Sequence, residues 1–311
     1  MENVGNLCYN IYNAFKGEMI MKTILFPCDY FHENKPDSNY LEEYRTVLYE
    51  SDFEPVLFSY DEFVENRTIK TNRILKTPVS AIYRGWMMKS EMYADFYNRL
   101  RKNNIFLITP PDAYRKMHEF PYIYSELGSD TAQMLIYNNP DEVDIREIRA
   151  KFHQFMIKDY VKSVKNTDFP VCLSADIDEW ELHKRIQQFL SYRGTLYTGG
   201  ICIKEYLNLK KYGNKTNEYR VFYINGSAAT VSRNSGQAEY VPQPPKELIM
   251  KYQNLSSPFY TVDYAQLTDE SWKIIETGDG QVSGLSDNQD IRHFYRMLSV
   301  CTENFEFLQR V

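Results

Sequence analysis

Histidine and cysteine are scarce in this chain, and neither occurs in a pattern typical of a metal site. The 311 residues include only five histidines and five cysteines, with no HExxH and no CxxC motif. The odd number and wide spacing of the cysteines argue against a disulfide framework, and the missing motifs argue against a zinc site. A reduced, cytoplasmic environment is therefore expected. The cysteines are Cys8, Cys28, Cys172, Cys202 and Cys301.

Long apolar runs and an excess of positive charge are also missing. No segment approaches the length needed to span a membrane. The net charge of −6 argues against broad, non-specific binding to nucleic acid. We therefore expect neither a membrane nor a nucleic acid as partner. The 43% hydrophobic and 25% charged residues describe an ordinary globular protein, and the length allows two domains.

The N-terminal third alternates strand-like and helical segments. Residues 1–21 are predicted to be an extension, and residues 22–110 a small open α/β domain with a mostly parallel sheet. Ligands of such sheets bind beyond the carboxyl ends of the strands. Arg84 follows the third strand and is therefore a candidate substrate-binding residue; alternatively, it pins a loop. The predicted strands are 22–26, 55–58, 79–83 and 105–108, and the predicted helices are 39–51 and 91–102.

The remaining residues, 111–311, are predicted to form a second domain that is richer in strands. Residues 112–137 are predicted to be helical with an interruption at Pro121, and 144–154 to form a second helix. Asn225-Gly226 predicts a tight β-hairpin. The other predicted elements are the strands 155–157, 200–203, 219–224 and 228–231, two acidic strands near the end of the chain, and the helices 176–192 and 287–298.

Those two acidic strands, 259–265 and the one beginning at Trp272, carry the candidate metal ligands. Asp263 and Glu276 lie on neighbouring strands, and Mg²⁺ is commonly held by one or two carboxylates together with phosphate oxygens. Strand alternation predicts that Trp272, Ile274 and Glu276 share a face. A plain hairpin with a solvated tip is the alternative. Asp279 follows on the same segment.

Basic residues gather at the end of the strand 155–157. Lys158, Lys162 and Lys165 lie close together in the sequence. A lysine is a compact point charge that binds phosphate, so this segment predicts an anion site. A solvated basic loop is the competing interpretation.

Two further strands carry polar residues that suit a nucleotide. The segment 201–207 is extended, and its backbone could pair with a base. Glu218 and Arg220 are two residues apart on a strand and therefore share a face. They are suited either to ribose and phosphate or to a cross-strand ion pair. Arg233, at the end of the return strand, is expected close to that face.

The order of these features resembles the ATP-grasp superfamily, and particularly its arginine-to-lysine clade of predicted amino-acid and peptide ligases. The resemblance covers residues 22–298 and is most specific between Phe155 and Leu285. It implies an α/β and α+β architecture, in which two α+β subdomains of an ATP-grasp domain (residues 111–311) enclose the nucleotide. A small N-terminal α/β domain precedes them.

The resemblance also implies roles for individual residues. Two are expected to face the triphosphate and the acyl phosphate: Arg220 and Arg233. Others are expected to bind ATP: Lys158 at the α-phosphate, Lys204 on the strand entering the adenine-binding linker Glu205, Tyr206 and Leu207, and Glu218 at the ribose. The expected Mg²⁺ ligands are Asp263, Glu276 and Asp279. The family pattern has asparagine where this chain has Gly278, so Asp279 or Gln281 is needed as a third ligand.

The implied activity is carboxylate–amine ligation. ATP phosphorylates a carboxylate of an amino-acid or peptide substrate, and an amine then displaces phosphate from the acyl phosphate. Such chemistry depends on positioning and charge neutralisation. Two other functions remain open: a nucleotide sensor without catalysis, and a nucleotidyltransferase in which Lys158 is adenylated.

Overall fold

A computed structural model of the chain describes residues 22–164, 167–237 and 239–302. The predicted extension, residues 1–21, and Lys165 lie outside these ranges. The strands are β1 (Lys22–Pro27), β2 (Glu54–Phe58), β3 (Val79–Tyr83), β4 (Ile105–Leu107), β5 (Met134–Tyr137), β6 (Gln154–Lys158), β7 (Leu173–Ser174), β8 (Ile201–Glu205), β9 (Lys211–Tyr212), β10 (Lys215–Thr216), β11 (Glu218–Ile224), β12 (Ser227–Arg233), β13 (Phe259–Gln266) and β14 (Trp272–Asp279).

The α-helices between them are mostly short. They are α1 (Leu41–Glu50), α2 (Tyr60–Asn66), α3 (Ser90–Lys102), α4 (Pro111–His118), α5 (Tyr124–Leu127), α6 (Ile145–Lys151), α7 (Glu179–Arg193), α8 (Lys246–Lys251) and α9 (Ile291–Thr302). Within the described ranges, no helix is long and apolar enough to cross a membrane.

The first four strands form a parallel sheet in the order β2-β1-β3-β4. Apolar side chains cover both of its faces: Ile24 and Phe26 pack on one side, and Leu25 between them packs on the other. Parallel sheets are normally buried in this way because helices cover both faces. The predicted open α/β arrangement is therefore present. All four strands precede residue 110, where the domain boundary is predicted.

A second, antiparallel sheet follows the order β12-β11-β13-β14. Its first hairpin turns at Asn225 and Gly226, which both have positive φ, as the sequence predicts. One hydrophobic cluster joins Phe26 of the parallel sheet to Phe222 of β11 and Phe294 of α9. The N-terminal sheet is therefore packed against the second sheet.

The third sheet, in the order β5-β8-β6-β7, is also antiparallel. Strand β5 corrects the prediction that the helical segment, interrupted at Pro121, extends to residue 137, since residues 134–137 pair with β8. Helix α6 likewise ends at Lys151 rather than at Gln154, which begins β6. In both places the pairing with neighbouring strands overrides the helical spacing of the sequence.

Candidate active site

A cavity of about 640 Å³ is lined by strands β6 and β8, the segment after β8, and residues from β11 and β14. Eight of the residues singled out from the sequence line it. They are Lys158, Lys162, Lys204, Glu205, Tyr206, Leu207, Glu218 and Glu276. Residues more than a hundred positions apart are thus brought to one site.

Two buried lysines lie side by side in this cavity. Lys204 on β8 is the register partner of Met156 on β6, so these two side chains point to the same face of the sheet. Lys158 lies two residues after Met156 on β6 and therefore points to that face as well. Each is nine-tenths or more buried. Burial, and then the positive charge of Lys158, lower the pKa of Lys204 to about 7. The paired positive charges favour an anionic ligand.

Asp159 orders the loop that follows β6. Its carboxylate is fully buried and accepts hydrogen bonds from the backbone N–H groups of Val161 at 2.8 Å and Lys162 at 2.7 Å. The same carboxylate is paired with Arg193 at 2.8 Å. This anchoring places the ammonium of Lys162 3.2 Å from the carboxylate of Glu276.

The segment after β8 leaves backbone N–H donors open at the cavity. The N–H of Glu205 donates to Gln133 at 2.8 Å, and that of Tyr206 donates to Gln154 at 3.0 Å. The N–H of Leu207 has no hydrogen-bond partner in the part of the chain that the structure describes. A base that enters the cavity can therefore bind a backbone donor at this position.

A second, smaller cavity of about 130 Å³ adjoins the first. Glu276 and Lys162 line both cavities and so form part of the boundary between them. Asp263 and Arg220 line the smaller one, whereas Glu218, two residues before Arg220, lines the larger one. The strand β11 thus contributes one residue to each cavity from a single face.

Asp263 and Glu276 are register partners on β13 and β14, so their side chains point to the same side of the sheet. Arg220 binds Asp263 through two hydrogen bonds, from Nε at 2.8 Å and from Nη2 at 2.7 Å. Each of the two carboxylates is therefore paired with a cation, Asp263 with Arg220 and Glu276 with Lys162.

A β-bulge decides the direction of Glu276. Tyr264 pairs with Ile274, and Asp263 pairs with Glu276, so Ile275 is the extra residue of β14. Ile274 packs in a buried apolar cluster, while Glu276 lines the cavities. The prediction that Trp272, Ile274 and Glu276 share a face is therefore wrong, because the bulge reverses the alternation between Ile274 and Glu276.

The structure does not bring Asp279 together with the two carboxylates. Asp279 is fully buried and lines neither cavity, and its Oδ1 accepts hydrogen bonds from the backbone and side chain of Gln281 at 3.0 and 3.2 Å. Burial raises its pKa to about 7. Asp279 lies three residues beyond Glu276 on a regular stretch of β14. Because side chains alternate along a strand, Asp279 points to the face opposite to that of Glu276.

The described residues contain no group of three or more His, Cys, Asp or Glu side chains placed to hold a metal ion. Two carboxylates are nevertheless sufficient for Mg²⁺ when phosphate oxygens supply the other ligands. Asp263 and Glu276 fit that requirement. Gly278 occupies the position at which the family pattern has a third ligand. A side chain there would crowd its neighbours, because an added Cβ would lie 2.8 Å from the Ser283 hydroxyl.

Arg84 is placed differently from the expectation that it binds substrate. Its side chain is 1% exposed, and it pairs with Glu43 through Nε at 2.9 Å and Nη2 at 3.0 Å. Its Nη1 donates to the carbonyl oxygens of Gly280 at 2.6 Å and Ser283 at 2.8 Å. These contacts occupy the guanidinium, so the placement favours the alternative in which Arg84 pins a loop.

Arg233 also departs from the expectation. It is the register partner of Tyr219, whereas Arg220 is the partner of Ser232. Since directly opposed residues share a face and neighbours alternate, Arg233 and Arg220 point to opposite sides of the sheet. Arg233 lines a separate cavity of about 290 Å³. It is not close to the face of Glu218 and Arg220.

One ionisable residue of the smaller cavity is not among the residues predicted from the sequence. His118, at the end of α4, is 8% exposed and lines this cavity together with Lys162. Burial, and then the charge of Lys162, lower its pKa to about 4, so the imidazole is neutral near pH 7. No motif surrounds His118 in the sequence, so only the fold reveals it.

Residues 146–298 match the model of a protein family, the ATP-grasp domain of family 3 in the arginine-to-lysine clade. The matched segment contains β6, β8, β11, β13 and β14, the strands that line the two cavities. This segment of the chain belongs to the ATP-grasp superfamily. The sequence-based recognition of the superfamily and of this clade is thereby confirmed.

Solved structures of ATP-grasp ligases share the fold at low sequence identity. The ligase PsnB, solved with a minimal precursor, gives a TM-score of 0.58 at 12% identity over 91% of this chain and 99% of PsnB. D-alanyl-alanine synthetase A from Vibrio cholerae O1 biovar eltor gives 0.56 at 12% identity over 92% and 98%. D-cycloserine synthetase DcsG gives 0.56 at 12% over 89% and 99%. No curated protein sequence matches this chain.

Proposed function

We propose that this ATP-grasp protein is an ATP- and Mg²⁺-dependent carboxylate–amine ligase that acts through an acyl phosphate and releases ADP and phosphate. The observation that carries the proposal is the junction of the two cavities at Glu276. A nucleotide-sized cavity with two buried lysines meets a small polar cavity with two carboxylates and an arginine.

The larger cavity is suited to ATP. The Leu207 N–H offers a donor to adenine, and Glu218, which accepts a hydrogen bond from Thr216 at 2.6 Å, offers a carboxylate to the ribose. Lys158 and Lys204 offer positive charge to the phosphates. Their burial strengthens this interaction, because charges attract more strongly where water is excluded.

Asp263 and Glu276 are the proposed Mg²⁺ ligands. Bound Mg²⁺ would neutralise charge on the phosphate oxygens. Asp263 is paired with Arg220 and Glu276 with Lys162, and both carboxylates line the smaller cavity. Asp279 and Arg233 are left out of the proposed site, because they point away from it.

In the proposed reaction a carboxylate oxygen of the acid attacks the γ-phosphorus, and the bond to the β,γ-bridging oxygen breaks to release ADP. An amine nitrogen then attacks the acyl carbon, loses a proton, and expels phosphate. Arg220 lies in the smaller cavity, where it can neutralise charge on the acyl phosphate. No side-chain nucleophile is needed.

Amino acids or peptides are the proposed acid and amine substrates. Support comes from the ATP-grasp relatives of similar fold, since PsnB was solved with a precursor peptide and another relative is a D-alanyl-alanine synthetase. The small volume next to Glu276 accommodates one carboxyl group with few further atoms.

The proposal is tested by incubating the protein with ATP, Mg²⁺ and pools of amino acids and short peptides. Phosphate release together with a product of summed mass, less one water, is expected. ATP binding without ADP formation in any pool would instead favour a sensor. An adenylated Lys158 that survives denaturation would favour a nucleotidyltransferase.

A further inference from the structure

The ring of Phe120 lies beneath both cavity lysines. The ammonium of Lys204 is 4.2 Å from the ring centroid, and that of Lys158 is 5.4 Å from it. Both distances fall within the range of cation–π attraction. Phe120 is 3% exposed and belongs to a single turn of 3-10 helix, Phe120–Tyr122, that lies between α4 and α5 in the sequence.

The two lysines have little other compensation for their charge. Lys204 donates one hydrogen bond, to the carbonyl oxygen of Ile275 at 2.7 Å. The ammonium of Lys158 has neither a hydrogen bond nor an ion pair with any residue in the described ranges, and its contact is the ring of Phe120. A buried ammonium without a partner is costly. The negative face of the ring therefore provides the principal attraction that the protein itself offers to Lys158.

The backbone fixes this ring relative to the lysines. The N–H of Phe120 donates to the carbonyl oxygen of Tyr160 at 2.9 Å. Tyr160 lies two residues after Lys158, in the loop that Asp159 anchors. Phe120 is thereby attached to the same loop that carries one of the lysines, and its ring reaches the second lysine on the neighbouring strand β8.

We propose that Phe120 is a positioning residue for the nucleotide phosphates, holding the ammonium groups of Lys158 and Lys204 side by side in the cavity before the nucleotide binds. This inference rests on the proposed binding of ATP in that cavity. It assigns a role in nucleotide affinity to a side chain that does not itself bind nucleotide.

The test compares Phe120→Leu, which removes the aromatic face but keeps an apolar side chain, with Phe120→Tyr, which retains that face. Affinities for ATP, ADP and adenosine are measured by calorimetry. Loss of cation–π contacts to two lysines is expected to weaken ATP and ADP binding about tenfold in Phe120→Leu. Adenosine binding should be unchanged, and Phe120→Tyr should bind ATP like the wild type.

Phe152→Leu is the matched control. Phe152 is also buried, at 4% exposure, and its ring lies 6.0 Å from the ammonium of Lys151, a lysine that lines neither cavity. This variant should lose stability comparably yet retain ATP affinity. Equal ATP affinity in Phe120→Leu and the wild type, or an equal loss for adenosine, would overturn the role of Phe120. A wild-type protein that does not bind ATP would instead refute the proposed function.

Discussion

Two arginine–carboxylate pairs bind the loop 280–284, and they differ in their access to a cavity. Arg84 and Glu43 are 1% and 11% exposed, and Arg84 also binds the carbonyl oxygens of Gly280 and Ser283. Arg220 is 22% exposed and lines a cavity, although it too binds the loop, at the carbonyl oxygen of Gly284.

An arginine bound to a carboxylate is therefore not by itself a sign of a ligand site. The buried pair has its hydrogen bonds occupied by protein, so it can only stabilise the fold. The open pair borders a space that a ligand can enter. The same contrast separates Glu276, at the cavity boundary, from Asp279, three residues further and fully buried.

The largest expected effect is the loss of stability in Arg84→Ala. Removing one partner of a buried pair leaves the other charge uncompensated and costs about 3 to 5 kcal/mol. Denaturant unfolding measures it, and ATP affinity of the folded variant should be unchanged. The control is Arg99→Ala, which breaks the exposed pair with Asp95 and should cost less than about 1 kcal/mol. A stable Arg84→Ala protein with impaired use of the acid would restore the substrate-binding role.

Glu276→Gln should reduce turnover at least about 100-fold, because metal-dependent charge stabilisation contributes several kcal/mol to the transition state. The variant should remain folded. Asp279→Asn, on the same strand but the opposite face, serves as the control and should retain turnover. Comparable losses in both variants would contradict the separation of the two carboxylates.

The sequence predicted ten of the described strands and eight of the residues that line the larger cavity, because these features follow from strand alternation and from local polar patterns. It failed where tertiary contacts decide. The bulge at Ile275 has no sequence signature. It reverses the strand alternation, so Glu276 does not share the face of Ile274 that regular alternation predicts. The burial of Arg84 depends on Glu43 and on a loop about two hundred residues away.

Other failures have similar causes. The strand register at Tyr219 turns Arg233 away from Arg220, and register cannot be read from one strand alone. Residues 134–137 pair with β8, although their spacing is equally compatible with a helix. His118 gave no signal because no motif surrounds it.

Gly278→Ala should cost about 1 to 3 kcal/mol, since an added Cβ would approach the Ser283 hydroxyl to 2.8 Å. That hydroxyl also binds Thr261 at 2.8 Å, so the substitution should disturb the loop between the two pairs. Denaturant unfolding of the single variants and of Gly278→Ala with Ser283→Ala measures the coupling. Purely additive costs would show that the loop is not tightly packed on Gly278.

The smallest expected effect is a pH dependence from Asp279. Its pKa in the folded protein is raised from 3.8 to about 7, so the folded state holds a proton that the unfolded state releases. The wild type should therefore lose stability as the pH rises, by about 1 kcal/mol between pH 6 and pH 8. Asp279→Asn should not show this loss. The free energy of unfolding is measured at several pH values for both proteins. The same pH dependence in both would contradict the burial of a titrating carboxylate at position 279.

Trapping with hydroxylamine detects the proposed acyl phosphate itself, because this amine converts an acyl phosphate into a stable hydroxamate. The protein is incubated with ATP, Mg²⁺, hydroxylamine and pools of amino acids and short peptides. We predict hydroxamate and ADP in equal amounts with the wild type, and neither with Glu276→Gln. Formation of AMP and pyrophosphate, or of hydroxamate at the wild-type rate in Glu276→Gln, would contradict an acyl phosphate formed at the junction of the two cavities.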